Sequence, residues 1–564
     1  MRTLVVGIAA CAFAAHSALA QGAPSGPAPQ ADLIVTAARI YTVDADRPLV
    51  RALAVRGGLV AFAGSVREAM ALRGPHTRVL DLRDDTVIPG IIDAHAHLLG
   101  LGEALRTVDL TGARSYAEVV ARVAARARTA RPGEWILGRG WDQNLWPDRS
   151  FPTQEALSRA VPDNPVRLTR VDGHAILVNA KALALAGVTA ATSDPPGGRI
   201  LRAADGTPTG VLVDEATELV ERVVPPLSAD QTQADVLAAI AEANRWGLTG
   251  IHDPGVEAPT IEVYEQLARE GRFNLRDYVM VAGDSDATIV RYFRRGPQSA
   301  LYDGHLWIRA VKLYADGALG SRGAALLEPY SDDPGNRGLV ITSGDSIRTV
   351  AIAALRAGFQ VCVHAIGDRA NRSVLDAYEA ALDSVPTADH RFRIEHAQVL
   401  SPQDIPRFAE LGVIPSMQTS HQTSDMYWAV DRLGPTRAAG AYAWRSLLET
   451  GVVIPNGTDF PVEAVNPMIR FHSAITRQDA NGWPAGGWFP AQRMTREEAL
   501  KSLTIWPAYA GFMEHAVGSL TPGKYADFTV LDQDIMTVAP ERILDTHVVM
   551  TVLGGETVYE RSAR

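Results

Sequence analysis

Between residues 89 and 514 the chain alternates short apolar, strand-like runs with amphipathic helical stretches. The runs include 246–252, 308–314, 360–364, 392–396 and 452–456, and helical patterns such as 230–246 and 345–357 lie between them. Strands that read as continuously apolar need cover on both faces, so this alternation predicts βα units around a parallel sheet. Its length suits an α/β fold, a (β/α)8 TIM-like barrel with one insertion. The turn-rich stretch at about 101–224 breaks the alternation and is the expected insertion. Residues 31–88 and 515–564 have a different texture of short β-like runs, with Gly57-Gly58 and Gly554-Gly555 as hairpin turns. Two β-rich ends around a barrel predict one small β-sandwich domain built from both, with Pro89-Gly90 as the point of hand-over.

A chain of 564 residues exceeds one ordinary domain, and the net charge of -10 argues against nucleic acid as a partner. Residues 1–20 read as a signal peptide: Arg2, an apolar run over 4–15, then Ala18-Leu19-Ala20 before Gln21. That run is too short to span a bilayer, so cleavage after Ala20 and export, periplasmic or secreted, are expected. Ile8-Ala9-Ala10-Cys11 offers a lipoprotein signal as the lesser alternative. Residues 21–30, rich in Pro, Gly and Ala, are expected to be a disordered spacer. Cys11 leaves with the signal and Cys362 remains, which excludes an intramolecular disulfide in the mature chain.

Chemistry collects where strand-like runs end. In Val87–Leu98, period-two alternation puts His95 and His97 on one face, with small Ala94 and Ala96 on the other. Lys312 sits inside the apolar run 309–314 of a chain that uses arginine for nearly all its cations. Burial lowers the pKa of a lysine, and the neutral amine can add carbon dioxide to become a carboxylate-like carbamate. His364, His396 and Asp459 close three further runs. Taken singly, each reads as a polar group at a core edge; together, on successive barrel strands, they form a ligand set for one or two divalent metal ions.

These motifs resemble the amidohydrolase superfamily, in its family 3 branch of YtcJ-like and N-substituted formamide deformylase-like proteins. The matching segments are Asp93-Ala94-His95-Ala96-His97, residues 311–317, His364-Ala365-Ile366-Gly367-Asp368, Glu395-His396-Ala397-Gln398, residues 457–461 and residues 523–528. The resemblance implies that His95, His97 and Asp459 hold one metal and His364 and His396 a second, with carboxylated Lys312 bridging. A mononuclear site with unmodified Lys312 stays open; zinc is the default metal, with manganese, iron and cobalt as alternatives. It further implies hydrolysis by metal-activated hydroxide, with Asp459 as general base. Trp141, His174, Asp316, Arg322 and His421 resemble pocket positions, His421 also as donor to a developing oxyanion, and His252 is a weaker candidate. The expected substrate is a small N-acyl or formamide-like molecule cut at an amide-type, non-peptide C–N bond. An ester, lactone or carbamate is the alternative bond, and a non-catalytic exported ligand-binding or regulatory protein the alternative class. No membrane span is expected, and a homo-oligomer is left open.

Overall fold

The computed structural model describes residues 30–283 and 285–562. The expected signal peptide and nearly all of the expected spacer lie outside the described residues. Seven parallel strands curl around the middle of the molecule: β1 (Ile91–Asp93), β2 (Leu248–Val256), β3 (Arg276–Ala282), β4 (Leu306–Tyr314), β5 (Gln360–Ala365), β6 (Arg393–His396) and β7 (Ile414–Ser416), each hydrogen-bonded to the next. Residues 454–457 close the ring without forming a regular ladder, since Pro455 has no N–H to give. Met417 N–H donates to Pro455 O at 3.0 Å, Gly457 N–H to Met417 O at 2.9 Å, and Ala94 N–H to Asn456 O at 3.4 Å.

Helices flank the strands for reasons visible in their sequences. Ala229–Arg245 starts at a capping box, in which the Ser228 side chain accepts from Gln231 N–H and Gln231 returns to the Ser228 backbone. Its buried residues Val236, Ala239, Ile240 and Ala243 follow the i, i+3, i+4, i+7 spacing of one helical face. Among the described residues, no helix is long and apolar enough to cross a membrane.

Between the helix Leu98–Arg106 and β2, residues 108–214 build a separate six-stranded sheet, Gly198–Arg202, Pro208–Asp214, Ala175–Val178, Val166–Arg170, Ile136–Trp141 and Val108–Asp109 in spatial order. Alternate residues of its strands enter different apolar clusters, Leu177 one and Ile176 and Val178 the other, so both faces are covered.

The two ends of the chain meet in one eight-stranded sheet, where Thr86–Pro89 pairs antiparallel with Phe528–Leu531. Gly90 is the hand-over: its N–H donates to Asp527 O at 2.8 Å, and the next residue already belongs to the barrel. Asp527 also fastens the barrel directly. Its carboxylate accepts Arg276 Nε–H at 2.5 Å and Nη2–H at 2.9 Å, and it takes Gly554 N–H at 2.7 Å. The Arg276 guanidinium stacks 3.7 Å from the centre of the Tyr525 ring. Tyr525 and Asp527 of residues 523–528 thus serve the joint between the domains.

Candidate metal centre

Strand alternation carries most of the candidate ligands to one place. Ala310 and Cys362 help fill the apolar interior of the barrel with Ile92, Tyr278 and Met280. Two residues further along β4 and β5, the same period brings Lys312 and His364 above that floor, at the C-terminal end of the barrel. The His364 ring lies 4.6 Å from that of His396, which lies 4.8 Å from that of His95.

Two ligand positions depend on breaking the alternation. β1 ends at Asp93, so His95 and His97 sit just beyond the expected strand. They are held extended by neighbours on both sides, Ala96 N–H donating to His252 O at 3.0 Å and His97 N–H to Phe460 O at 2.9 Å. Asp93 ties this segment to the loop that carries Asp459 by accepting Thr458 N–H at 2.9 Å and Thr458 Oγ1–H at 2.8 Å. Gly457 is required there, since a Cβ would stand 2.7 Å from His95 Cβ and backbone N. His396 and Asp459 themselves adopt left-handed backbones, φ 73° and 60°. Such conformations cost about 1–3 kcal/mol each and persist where the surroundings impose them. At His396 the gain is specific: Glu395 already faces the barrel interior, and the left-handed turn brings the next side chain inward as well.

Second-layer groups aim the imidazoles. His95 Nδ1–H donates to Glu395 Oε2 at 2.5 Å and His396 Nδ1–H to Gln418 Oε1 at 2.8 Å. Each bond leaves Nε2 as the free lone pair. Arg393 in turn fixes Glu395, with Nε 2.7 Å from Oε1 and Nη2–H donating to Oε2 at 3.0 Å.

The donor set fits a divalent ion. His95, His97 and Asp459 present ligand atoms all within 4.8 Å of one another, and so do His396, His421 and Asp459. His95 Nε2 and His421 Nε2 are buried without a hydrogen-bond partner in the protein, a costly arrangement for groups with nothing to bind. Burial, helped by the Lys312 charge, lowers His95 to about 4, and burial likewise lowers His364 and His396, so these imidazoles stay neutral and ligand-competent. Burial would raise Asp459, but the His97 hydrogen bond and the imidazoles gathered around it hold it well below the usual carboxylate range. Burial also lowers Lys312, against the pull of Glu395 and Asp459.

With this geometry in view, the match to a known family is specific. The amidohydrolase family model aligns with residues 78–559. The chain belongs to the amidohydrolase family. Protein LONG AFTER FAR-RED 3 of Arabidopsis thaliana is 34% identical over 94% of this chain and 92% of its own length. Putative amidohydrolase YtcJ of Bacillus subtilis is 33% identical over 93% and 98%, and the N-substituted formamide deformylase of Arthrobacter pascens 29% over 94% and 99%. Among solved structures, an uncharacterized metal-dependent hydrolase from Pyrococcus furiosus superposes with a TM-score of 0.70 at 29% identity, covering 90% of this chain and all of that one.

The amidohydrolase motifs therefore converge, though not all with the neighbours expected. His421 joins a ligand-competent group, whereas His364 Nε2 faces Asp316 Oδ1 and Gly317 O, both at 3.5 Å. His174 reaches the centre from the insertion, its ring 5.0 Å from that of His364 and its Nδ1–H donating to buried Asp214 at 2.7 Å. Three expected pocket residues are used otherwise. Trp141 is wholly buried in the insertion core and donates to Leu168 O at 2.8 Å, because a bulge before it rotates it away from the face Arg139 occupies. Asp316 braces loops by accepting the N–H groups of Ala325, Ile366 and Gly367. Arg322 turns to Asp332 at 2.9 Å. His252 faces Arg393 Nη1 at 2.8 Å instead of joining either ligand group.

Glu395, Gln418 and Asp214 had no role assigned from sequence. The available signal for Glu395 was an acidic residue inside a buried strand, an expensive placement without a partner. Glu395→Gln is expected to weaken metal affinity about 10- to 100-fold, read by equilibrium dialysis against a competing chelator; unchanged affinity would refute the orienting role.

Proposed function

We propose that the protein is a metal-dependent hydrolase that cleaves amide-type, non-peptide C–N bonds in a small N-acyl or formamide-like substrate. The observation that carries this reading is the convergence of His95, His97, His396 and His421 on Asp459, with the Nε2 atoms of His95 and His421 buried and unpartnered inside the protein. The choice of bond leans on the relative named N-substituted formamide deformylase.

In this reading His95, His97, His364, His396 and Asp459 would hold one or two divalent ions, zinc by default, with Lys312, once carboxylated, as a further anionic ligand. The neutral Lys312 amine adds to carbon dioxide, forming the N–C bond and releasing a proton. When bound, such an ion would supply Lewis acidity, able to lower the pKa of water from about 15.7 to about 7 and to polarise the scissile carbonyl. Asp459 accepts the proton of the attacking water and passes it to the departing amine. His421, its Nε2 unpartnered in the protein and 3.9 Å from Asp459, donates to the carbonyl oxygen as negative charge develops. The substrate enters as a small molecule between insertion and barrel, where His174 faces the centre.

The test is a screen of metal-reconstituted protein against N-substituted formamides, N-acyl amino acids and lactones. Release of amine from the first two classes is the expected result. Turnover of lactones alone would move the activity to esters, and turnover of none would favour a non-catalytic role. Export rests on residues 1–20, and a mature protein beginning at Gln21 is its test.

A further inference from the structure

Arg139 lies on the insertion strand Ile136–Trp141 and has no carboxylate partner that explains it. No carboxylate stands within 4.0 Å of its guanidinium among the described residues. Its Nε is buried without a hydrogen bond, and Nη2–H donates to Val171 O at 3.1 Å. Arg170, in the neighbouring strand, shows the contrast: Asp142 and Asp172 hold it, each at 2.5 Å. An unpaired guanidinium at such depth is costly unless it awaits an anion.

Backbone features put it there. Gly140 has φ 106°, and a Cβ on it would stand 2.6 Å from Thr111 Oγ1. At this glycine the pairing with the next strand slips between Arg139 and Trp141. In a regular strand those two side chains would share a face; the bulge sends Trp141 into the core and leaves Arg139 alone on the other side. Its Nη atoms lie 3.6 and 3.8 Å from where a side chain on Gly173 would begin. The next residue, His174, touches His364 of the metal centre. Burial lowers the proton affinity of Arg139, with Asp459 the leading charge acting against it, yet the side chain keeps some solvent access. Depth with access is what a cleft wall provides.

We propose that Arg139 anchors a carboxylate carried by the substrate, so that N-formyl or N-acyl amino acids and similarly anionic amides are preferred over neutral ones. The inference rests on the hydrolase reading above. Its chemistry is consistent with the centre: Asp459 is the ligand set's one carboxylate, so a bound divalent ion leaves the site net positive, and a facing guanidinium strengthens a field that draws in anions. In an N-acyl amino acid the carboxyl carbon is two bonds from the scissile nitrogen, so an anchor beside the reacting group is where it is needed. A planar guanidinium suits that carboxylate better than an ammonium would.

The experiment compares N-acyl amino acids with their neutral amino-amide counterparts on metal-loaded full-length protein. Wild type should favour the anions in kcat/KM by about 100-fold; Arg139→Gln should bring the ratio toward one, and Arg139→Lys should keep an intermediate value. A second readout needs no turnover: calorimetric titration with an N-sulfonyl amino acid, which has a carboxylate but no acyl carbon to attack. Its Kd should weaken about 100-fold in Arg139→Gln, with metal content and Tm matching wild type. A wild type without preference for anions, or an Arg139→Gln variant that keeps both preference and Kd, overturns the proposal. Turnover of neutral formamides with no anion preference would overturn this inference alone. Tight, Arg139-dependent binding of the sulfonyl ligand with no turnover of any amide would overturn the hydrolase reading and leave the anchor standing.

Discussion

Asp459→Asn is expected to lower kcat by about 100- to 10,000-fold, the range for losing a positioned general base. The carboxylate occupies the one position shared by both ligand-competent groups, 3.1 Å from His97 Nε2 and 3.7 Å from His95 Nε2. Its proton affinity is held low, so it would enter the proposed reaction ionised and able to accept. Asparagine has nearly the same shape and can still offer an oxygen to a metal, but it cannot take a proton. Metal content should therefore fall much less than rate, and measuring both on one preparation separates the two roles. A fully active variant would remove Asp459 from the chemistry. An inactive variant that has also lost all metal would reduce it to a ligand.

Asp527→Ala is expected to destabilise the protein by about 3–5 kcal/mol, the usual cost of stranding one partner of a buried ion pair. Arg276 and Asp527 are both almost fully buried, and the aspartate also carries the Gly554 N–H of a β-domain hairpin. Removing it leaves a guanidinium in the joint between barrel and β domain with only Gly304 O, Asp303 O and the Tyr525 face. Denaturant unfolding should show a lower midpoint, in one transition or as earlier release of the β domain. Stability within about 0.5 kcal/mol of wild type, typical of a surface substitution, would show that the joint does not depend on this pair. The site lies elsewhere, so folded Asp527→Ala protein at low temperature should still bind metal.

How much of this was legible in the sequence depends on the range over which each feature is specified. The barrel strands and the helices around residues 230–246 and 345–357 could be read because period and capping are local. Lys312 and His364 were legible for the same reason: one sits inside an apolar run and the other ends one, and alternation places both side chains. Glu395 was not, because alternation lets only one of two adjacent residues face inward; the left-handed backbone of His396 admits both. Gln418 and Asp214 orient histidines 22 and 40 residues away, pairings created by tertiary folding. Trp141 was misplaced because one bulge at Gly140 inverts the face it occupies, and a slip of one residue leaves no trace in hydrophobic pattern. The run 452–456 was expected as a strand, but Pro455 limits it to a bridge between Met417 and Asn456.

The central claim, that these side chains form a metal centre, is tested most directly by metal analysis of the purified full-length protein after exhaustive dialysis. At least one tightly held divalent ion per chain is predicted for wild type, with a clear loss in His95→Ala and in His396→Ala at unchanged secondary structure. Less than one ion per chain after reconstitution with zinc, manganese, iron or cobalt, or full retention in both variants, would contradict it.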